Sequence, residues 1–300
     1  MPAAACCAIP CVASLALLAV PGLHAEEVQP HWLPSMLHAD AAGDQQGPPG
    51  PPERTGDWTF ALGVATRYQP AFTGSADYQL IAFPDFKVEY KDRFFAAPFE
   101  GMGYNIINSD GWRIGPIAKF DFGRTEDDDN PFRIAGEETT ALKGLGDVDM
   151  ALELGGFLEY SVGPLSYSIE LRQGLGGHEG LIGETNLQFM GFADVFGPPI
   201  MYAFGPQATF ADSTYNSAYY GITAQQSARS GLDRYTADAG LVSYGIGASV
   251  IMPLTESVSI AVFGSYDRMA GSAADSPLIQ ERGDEDQLMI HVGMRYEFGH

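Results

Sequence analysis

His178 and Glu179 sit in the glycine-rich run Gly174-Leu175-Gly176-Gly177-His178-Glu179-Gly180 and are, by residue type, suited to proton transfer or metal ligation. A nucleophilic hydrolase would also need a serine held by that histidine and donors for an oxyanion. Ser166 and Ser168 are the nearby serines, and neither lies in a strand–turn–helix elbow. Glu126-Asp127-Asp128-Asp129-Asn130 offers carboxylates and an amide to calcium, but without the alternate-position spacing and central glycine of an EF-hand loop. Glu281, Asp284, Glu285 and Asp286 form a second acidic cluster, with Arg282 inside it as a partial partner. Gly101-Met102-Gly103 and Gly174-Leu175-Gly176-Gly177 lack the Lys-Ser/Thr that a phosphate loop requires. The expectation is a chain that is not an enzyme, with a packed His178 loop, solvated acidic loops, and no catalytic residues, cofactor or metal.

A further set of charges has a regular spacing. Arg67, Asp85, Lys87, Glu89, Arg113, Lys119, Asp121, Asp147, Asp149, Glu153, Glu159, Glu170, Arg172, Arg295 and Glu297 each fall, within their own segment, on the face opposite the large apolar residues. The elements that position them alternate with period two. Trp58, Phe60, Leu62, Val64, Thr66 and Tyr68 interleave with small or polar residues, and Leu288, Ile290, Val292, Met294, Tyr296 and Phe298 repeat the pattern. Alternation alone fits a soluble sandwich or a membrane barrel. Strands of about 9–14 residues match a tilted span, and aromatic residues at their ends match interfacial girdles. The apolar face then points to lipid and the charges point inward. Arg67, Arg113, Lys119, Asp121, Asp149, Glu153, Glu170, Arg172 and Arg295 are the candidate lumen-lining residues.

Composition agrees. Charged residues make up 18% of the 300-residue chain, below the roughly 25% usual in soluble proteins, and glycine is abundant. The net charge of −22 sets nucleic-acid binding aside, because such a surface repels phosphates. Beyond the leader no stretch reaches the roughly 18 apolar residues of a spanning helix.

Residues 1–25 read as a signal peptide, with an apolar core at Val12–Val20, a Pro21-Gly22 break and a cleavage site after Leu23-His24-Ala25. Cys6, Cys7 and Cys11 lie inside it, so the mature chain carries no thiol or disulfide. Residues 26–55, with Gly47-Pro48-Pro49-Gly50-Pro51-Pro52, cannot bury a core and read as a disordered periplasmic tail. Residues 56–300 form one outer-membrane domain.

The fold class is all-β: a transmembrane antiparallel up-and-down barrel. Its strands fall at 57–68, 78–90, 92–97, 99–107, 111–124, 147–160, 164–175, 184–195, 199–211, 238–253, 256–269 and 287–298, which is twelve. Treating 92–107 as irregular, because Pro98 breaks a short run, gives ten. Short turns should face the periplasm and long loops the exterior.

Five ordered segments are similar to a known family: Tyr68–Ser75, Gly144–Asp149, Arg172–Gly180, Tyr215–Ile222 and Ala273–Pro277, with Tyr220 where that family has Phe. The chain thereby resembles the MipA/OmpV (MltA-interacting protein) outer-membrane family over roughly 57–298. The resemblance implies the outer membrane of a Gram-negative bacterium, with outer-membrane lipid around the barrel. For some members it also implies a scaffold joining a lytic transglycosylase to a bifunctional penicillin-binding protein. A small diffusion channel or transporter is the alternative reading, and a lipid-acting barrel enzyme a more distant one.

Overall fold

The computed structural model describes residues 57–98, 100–127, 130–136, 138–194 and 199–299. The signal peptide, the 26–55 tail, Asp128 and Asp129 lie outside the described residues.

Long alternating segments become long antiparallel strands: β1 (Trp58–Pro70), β2 (Tyr78–Tyr90), β6 (Trp112–Asp121), β8 (Ala151–Val162), β9 (Leu165–Leu175), β10 (Leu181–Ala193), β11 (Ile200–Ala211), β12 (Gly240–Pro253), β13 (Val258–Met269) and β14 (Asp286–Gly299). Between β2 and β6 stands a short hairpin of β3 (Phe94–Ala97) and β4 (Gly101–Tyr104). Each strand pairs with the next, and β1 pairs with both β2 and β14, so twelve strands close the sheet on itself. Closure removes free edges around most of the wall, where in hydrocarbon they would leave backbone groups without partners; the short β3–β4 hairpin covers only part of β2 and β6. Two small strands lie off this path: β5 (Ile107–Ser109) pairs β6, and β7 (Arg133–Ala135) pairs β2.

The expected faces are in place. Leu62, Val64, Leu154, Leu171, Ile246, Ile290, Val292 and Met294 point outward and are exposed, while Asp85, Lys87, Glu89, Glu153, Glu159 and Arg172 are buried. At the short-turn end Trp58 packs on Tyr90 and Trp112 on Tyr160; at the other end Tyr68 stacks on Tyr78. Trp58 to Tyr68 is ten steps of about 3.3 Å, or about 25 Å once tilted by roughly 40°. That is the height of an outer-membrane apolar band.

The strand boundaries differ from the sequence reading in three respects. The third and fourth strands have four residues each, shorter than the expected 92–97 and 99–107, because Pro98 turns the chain back. The sixth starts at Ala151, and the stretch before it forms the isolated Arg124–Val148 bridge instead of a strand ladder. Two of the three longest loops contain helices that alternation could not reveal: α1 (Ser213–Tyr220), α2 (Ala224–Ser230), α3 (Gly271–Ala274) and α4 (Pro277–Arg282).

Each of the longer helices starts from a local cap. Asp212 accepts from the Tyr215 N–H, Thr223 and Gln226 form a capping box, and Ser276 precedes Pro277 at the first helical turn. Gly231, at φ 80°, closes α2 in the left-handed region. These helices and the neighbouring loops fold inward. Phe72, Leu142, Leu145, Tyr220, Ile222, Leu232, Leu278 and Ile279 form one apolar core with the strand-end residues Ala211, Val242 and Met269. The core of this molecule is therefore a cap over the long-loop mouth, above a polar lumen.

Candidate functional site: the capped lumen

The inner face of the barrel is lined by ion pairs that link nearby strands. On β9, Arg172 donates Nε to Glu153 Oε2 at 2.6 Å and Nη2 to Glu184 Oε1 at 3.1 Å, and it also touches Glu170. Lys119 on β6 reaches Glu170 at 2.6 Å, Arg113 reaches Glu159 at 3.0 Å, and Lys87 reaches Glu89 at 2.6 Å. Arg295 on β14 meets Asp85 on β2 at 2.5 Å, and Arg67 lies over the Phe83 ring. Buried charges persist when each has a partner and hydrogen bonds, and here they interlock strands that neighbour one another or are separated by one strand. A cavity of about 380 Å³ remains among them, lined by both signs of charge and by Phe95, Phe157 and Phe263.

Of the nine candidate lumen-lining residues, Arg67, Arg113, Lys119, Asp121, Glu153, Glu170, Arg172 and Arg295 lie on the inner faces of strands. Asp149 does not. It precedes β8, is exposed, and belongs to the outer loop. Asp147 is exposed too, and its Oδ1 accepts from the Glu126 N–H.

His178 is buried at the junction of cap and lumen. Its Nδ1 accepts the Gly180 N–H at 3.1 Å, so the ring proton sits on Nε2 and is donated to Glu153 Oε1 at 3.0 Å. Asp121 lies 3.8 Å from the same nitrogen, and these three side chains form a cluster with metal-ligand geometry. Every carboxylate oxygen in it already has a donor. Glu153 Oε2 takes Arg172, Asp121 Oδ1 takes the Gly123 N–H, and Asp121 Oδ2 takes the Tyr219 hydroxyl. The cluster is thus satisfied by protons alone, and it ties α1 to the barrel wall. Burial, then the Asp121 carboxylate, push the Tyr219 phenol up, which keeps it a donor. Ser166 is at the other end of β9, about 30 Å from the His178 loop at 3.3 Å per residue. It bonds instead to Ser161 and Glu159, so no serine–histidine pair forms there.

The acidic loops have structural work. Glu126 accepts the Gly144 and Gly146 N–H groups through its two oxygens, at 2.9 and 2.8 Å. In the second cluster Arg268 pairs Glu285 and Asp286. Arg282, expected to pair the acids, instead donates to the carbonyls of Ala141, Lys143 and Ser230, pinning α4 to two neighbouring loops.

The Glu126 clamp gives a pH test. Those two N–H groups hold its carboxyl below the usual range. A depressed folded pKa means stabilisation present above the unfolded value near 4.3 and lost as pH falls through the folded one. Amide exchange at Gly144 and Gly146 should therefore be slow and flat from pH 7 to about 5, after correction for intrinsic rates, and lose protection below about 4. Glu126→Ala should abolish that protection at pH 7. Equal protection in the variant would show that the clamp contributes nothing.

The five segments that carried the family resemblance converge on the cap. They include Phe72, Leu145, His178, Tyr220, Ile222, Ala273 and Ser276, all buried. A family model, "MltA-interacting protein MipA", matches residues 62–298. Comparison with curated proteins returns no match. Among solved structures, an outer-membrane channel from Pseudomonas putida F1 is 10% identical, with 85% of this chain and 100% of that one covered and a TM-score of 0.43. The NanC porin is 10% identical, at 78% and 98% coverage and a TM-score of 0.40. OprG from Pseudomonas aeruginosa is 11% identical, at 82% and 98% coverage and a TM-score of 0.26.

Proposed function

The chain belongs to the MltA-interacting protein (MipA) family, and from that premise we propose that it is an outer-membrane scaffold of a Gram-negative cell. In this reading it holds a periplasmic lytic transglycosylase, and with it a bifunctional penicillin-binding protein, at the inner surface of the outer membrane. Residues 1–25 direct export, and residues 26–55 hang as a tail on the periplasmic side beside the short turns.

The observation that carries this reading is the closed mouth. Four long loops share one apolar core over the barrel, and the lumen beneath is braced by ion pairs. A barrel built this way is a rigid anchor in the outer-membrane lipid. The family's name supplies the partner. Surfaces for it are the short turn Lys91–Arg93, where Lys91 pairs Asp57 at 2.9 Å, and the chain leading into Trp58.

The test is capture from solubilised outer membranes with the full-length protein as bait. The expected result is enrichment of a lytic transglycosylase over an unrelated barrel of similar size, with loss when 26–55 is deleted or when Lys91, Asp92 and Arg93 are changed to Ser. Absence of enrichment removes the scaffold reading. The mixed-charge cavity favours a second reading, a narrow diffusion channel, which planar-bilayer recording decides.

A further inference from the structure

The wall of the barrel is incomplete on one side. β2 pairs β3 only through Val88, Glu89 and Tyr90. Farther along, its next partner on that side is the Phe132 carbonyl, which accepts the Ala82 N–H. Between them Phe83–Lys87 have no strand partner on that side among the described residues, although all five are in register with β1. On the facing wall β6 pairs β4 only at Ile117 and Ala118, whereas Lys119, Phe120 and Asp121 pair β8 alone. Five residues at about 3.3 Å make this breach about 16 Å tall along the strand, and three strand spacings of about 4.8 Å make it about 14 Å wide between backbones. It lies at the depth of the apolar band.

The sequence fits such an opening. Unpaired backbone donors are costly in hydrocarbon. Ala82 directs its N–H to this side, so alternation directs residues 84 and 86 the same way; residue 84 is proline, which leaves the Phe86 N–H as the one backbone donor of β2 along this stretch of the rim. The outer rim is apolar: Phe86, Phe120 and Phe132 are exposed. The inner rim is polar and continuous with the lumen, because the cavity of about 380 Å³ is lined by Asp85, Pro98, Glu100 and Lys119 from the frame of the breach. Asp85 and Lys119 are paired along the inner wall, with Arg295 at 2.5 Å and Glu170 at 2.6 Å. Glu100 is not matched in this way. Its Oε2 is buried without a hydrogen-bond donor, its Oε1 stands 3.7 Å from Arg295, and Lys87, already paired with Glu89, is the other cation near it.

We infer that the breach is a lateral port, through which a single-chain amphiphile with a primary amine head enters the lumen from the bilayer. The amine binds Glu100, and the chain passes between Phe86 and Phe120 into lipid. The cavity is within the roughly 300–1,000 Å³ of small-molecule sites, and the cap closes the long-loop route. This site is independent of the scaffold role, since it occupies the wall and not the short turns.

The experiment uses the full-length protein in phosphatidylcholine nanodiscs and dodecylamine carrying a diazirine on its chain. Irradiation should concentrate label in peptides covering 83–87 and 118–122, about tenfold over 202–208 of β11 on the opposite wall, as expected for one charge-assisted hydrogen bond. Glu100→Gln should remove the excess, and Asp267→Asn, a lumen carboxylate away from the cavity, should keep it. Unlabelled dodecylamine should compete on the unmodified protein and dodecanol should not, which reads the site even if a variant folds poorly. Label spread evenly around the belt, an excess indifferent to Glu100→Gln, or equal competition by dodecanol each overturns the proposal.

Discussion

Leu278→Asp is expected to turn a silent barrel into a conducting one. Leu278 is 1% exposed, at the centre of the apolar cluster that closes the long-loop mouth. Removing such a leucine to alanine costs about 2–5 kcal/mol, and burying a carboxylate without a partner costs more. The loss is local. The barrel wall draws its stability from the closed ladder, so the cap should open while the twelve strands stay paired. A local destabilisation of about 3 kcal/mol raises the open population roughly 100-fold. In planar bilayers the unmodified protein should therefore show rare or no openings, and Leu278→Asp frequent ones. Leu254→Asp, at an exposed turn on the opposite end, should match the unmodified protein. Steady conductance from the unmodified chain would favour the channel reading and contradict the closed-mouth argument.

That contrast between wall and cap also explains what the sequence disclosed. The wall is written in period two, because lipid outside and water or charge inside impose opposite demands on successive residues. Arg113, Lys119, Glu153, Glu170, Arg172 and Arg295 could be assigned to one face on parity alone, and the structure puts them on it. Parity stops being informative where the chain leaves the wall. Asp147 and Asp149 continue the alternation of the neighbouring strand into a loop held by an isolated bridge and not by a ladder, so the same spacing there carries no facing. The cap obeys a different code. Its helices were announced by Asp212, by Thr223 with Gln226, and by Ser276-Pro277, each a local start signal that the strand reading passed over. What no local pattern could supply is which loops meet. Arg282 looked like a partner for adjacent acids, and only tertiary packing reveals it bonded to Ala141, 141 residues away. The breach beside β2 belongs to this class as well. Pro84 and Pro98 are visible in the sequence, but their joint consequence depends on where the short hairpin ends.

Arg172→Ala is expected to be the most destabilising single change in the lumen. One guanidinium, 4% exposed, serves Glu153, Glu184 and Glu170. Its loss leaves three carboxylates close together with Lys119 as their nearest cation, 2.6 Å from Glu170 and 3.7 Å from Glu184. Removing one partner of a buried ion pair typically costs about 3–5 kcal/mol, because the remaining charges stay desolvated. Arg172→Lys should recover only part. A single ammonium keeps the charge but cannot reach carboxylates on both neighbouring strands with a planar fork. Adding Glu184→Gln to Arg172→Ala should restore stability relative to the single variant, since it withdraws one of the stranded charges. A positive coupling of about 0.5–3 kcal/mol between the two positions is the expected size for neighbours in one network. The measurement is the urea midpoint for unfolding in detergent micelles, followed by the shift of the folded band on gels. The effect should also reach the cap, because Glu153 holds the His178 ring that packs against Tyr215 of α1. Arg172→Ala should thus speed amide exchange around residues 176–180 as well as lower the midpoint. A change within about 0.5 kcal/mol of the unmodified protein, the range of an ordinary surface substitution, would mean that water and Lys119 already neutralise these carboxylates and that the lumen is wetter than its ion pairs imply.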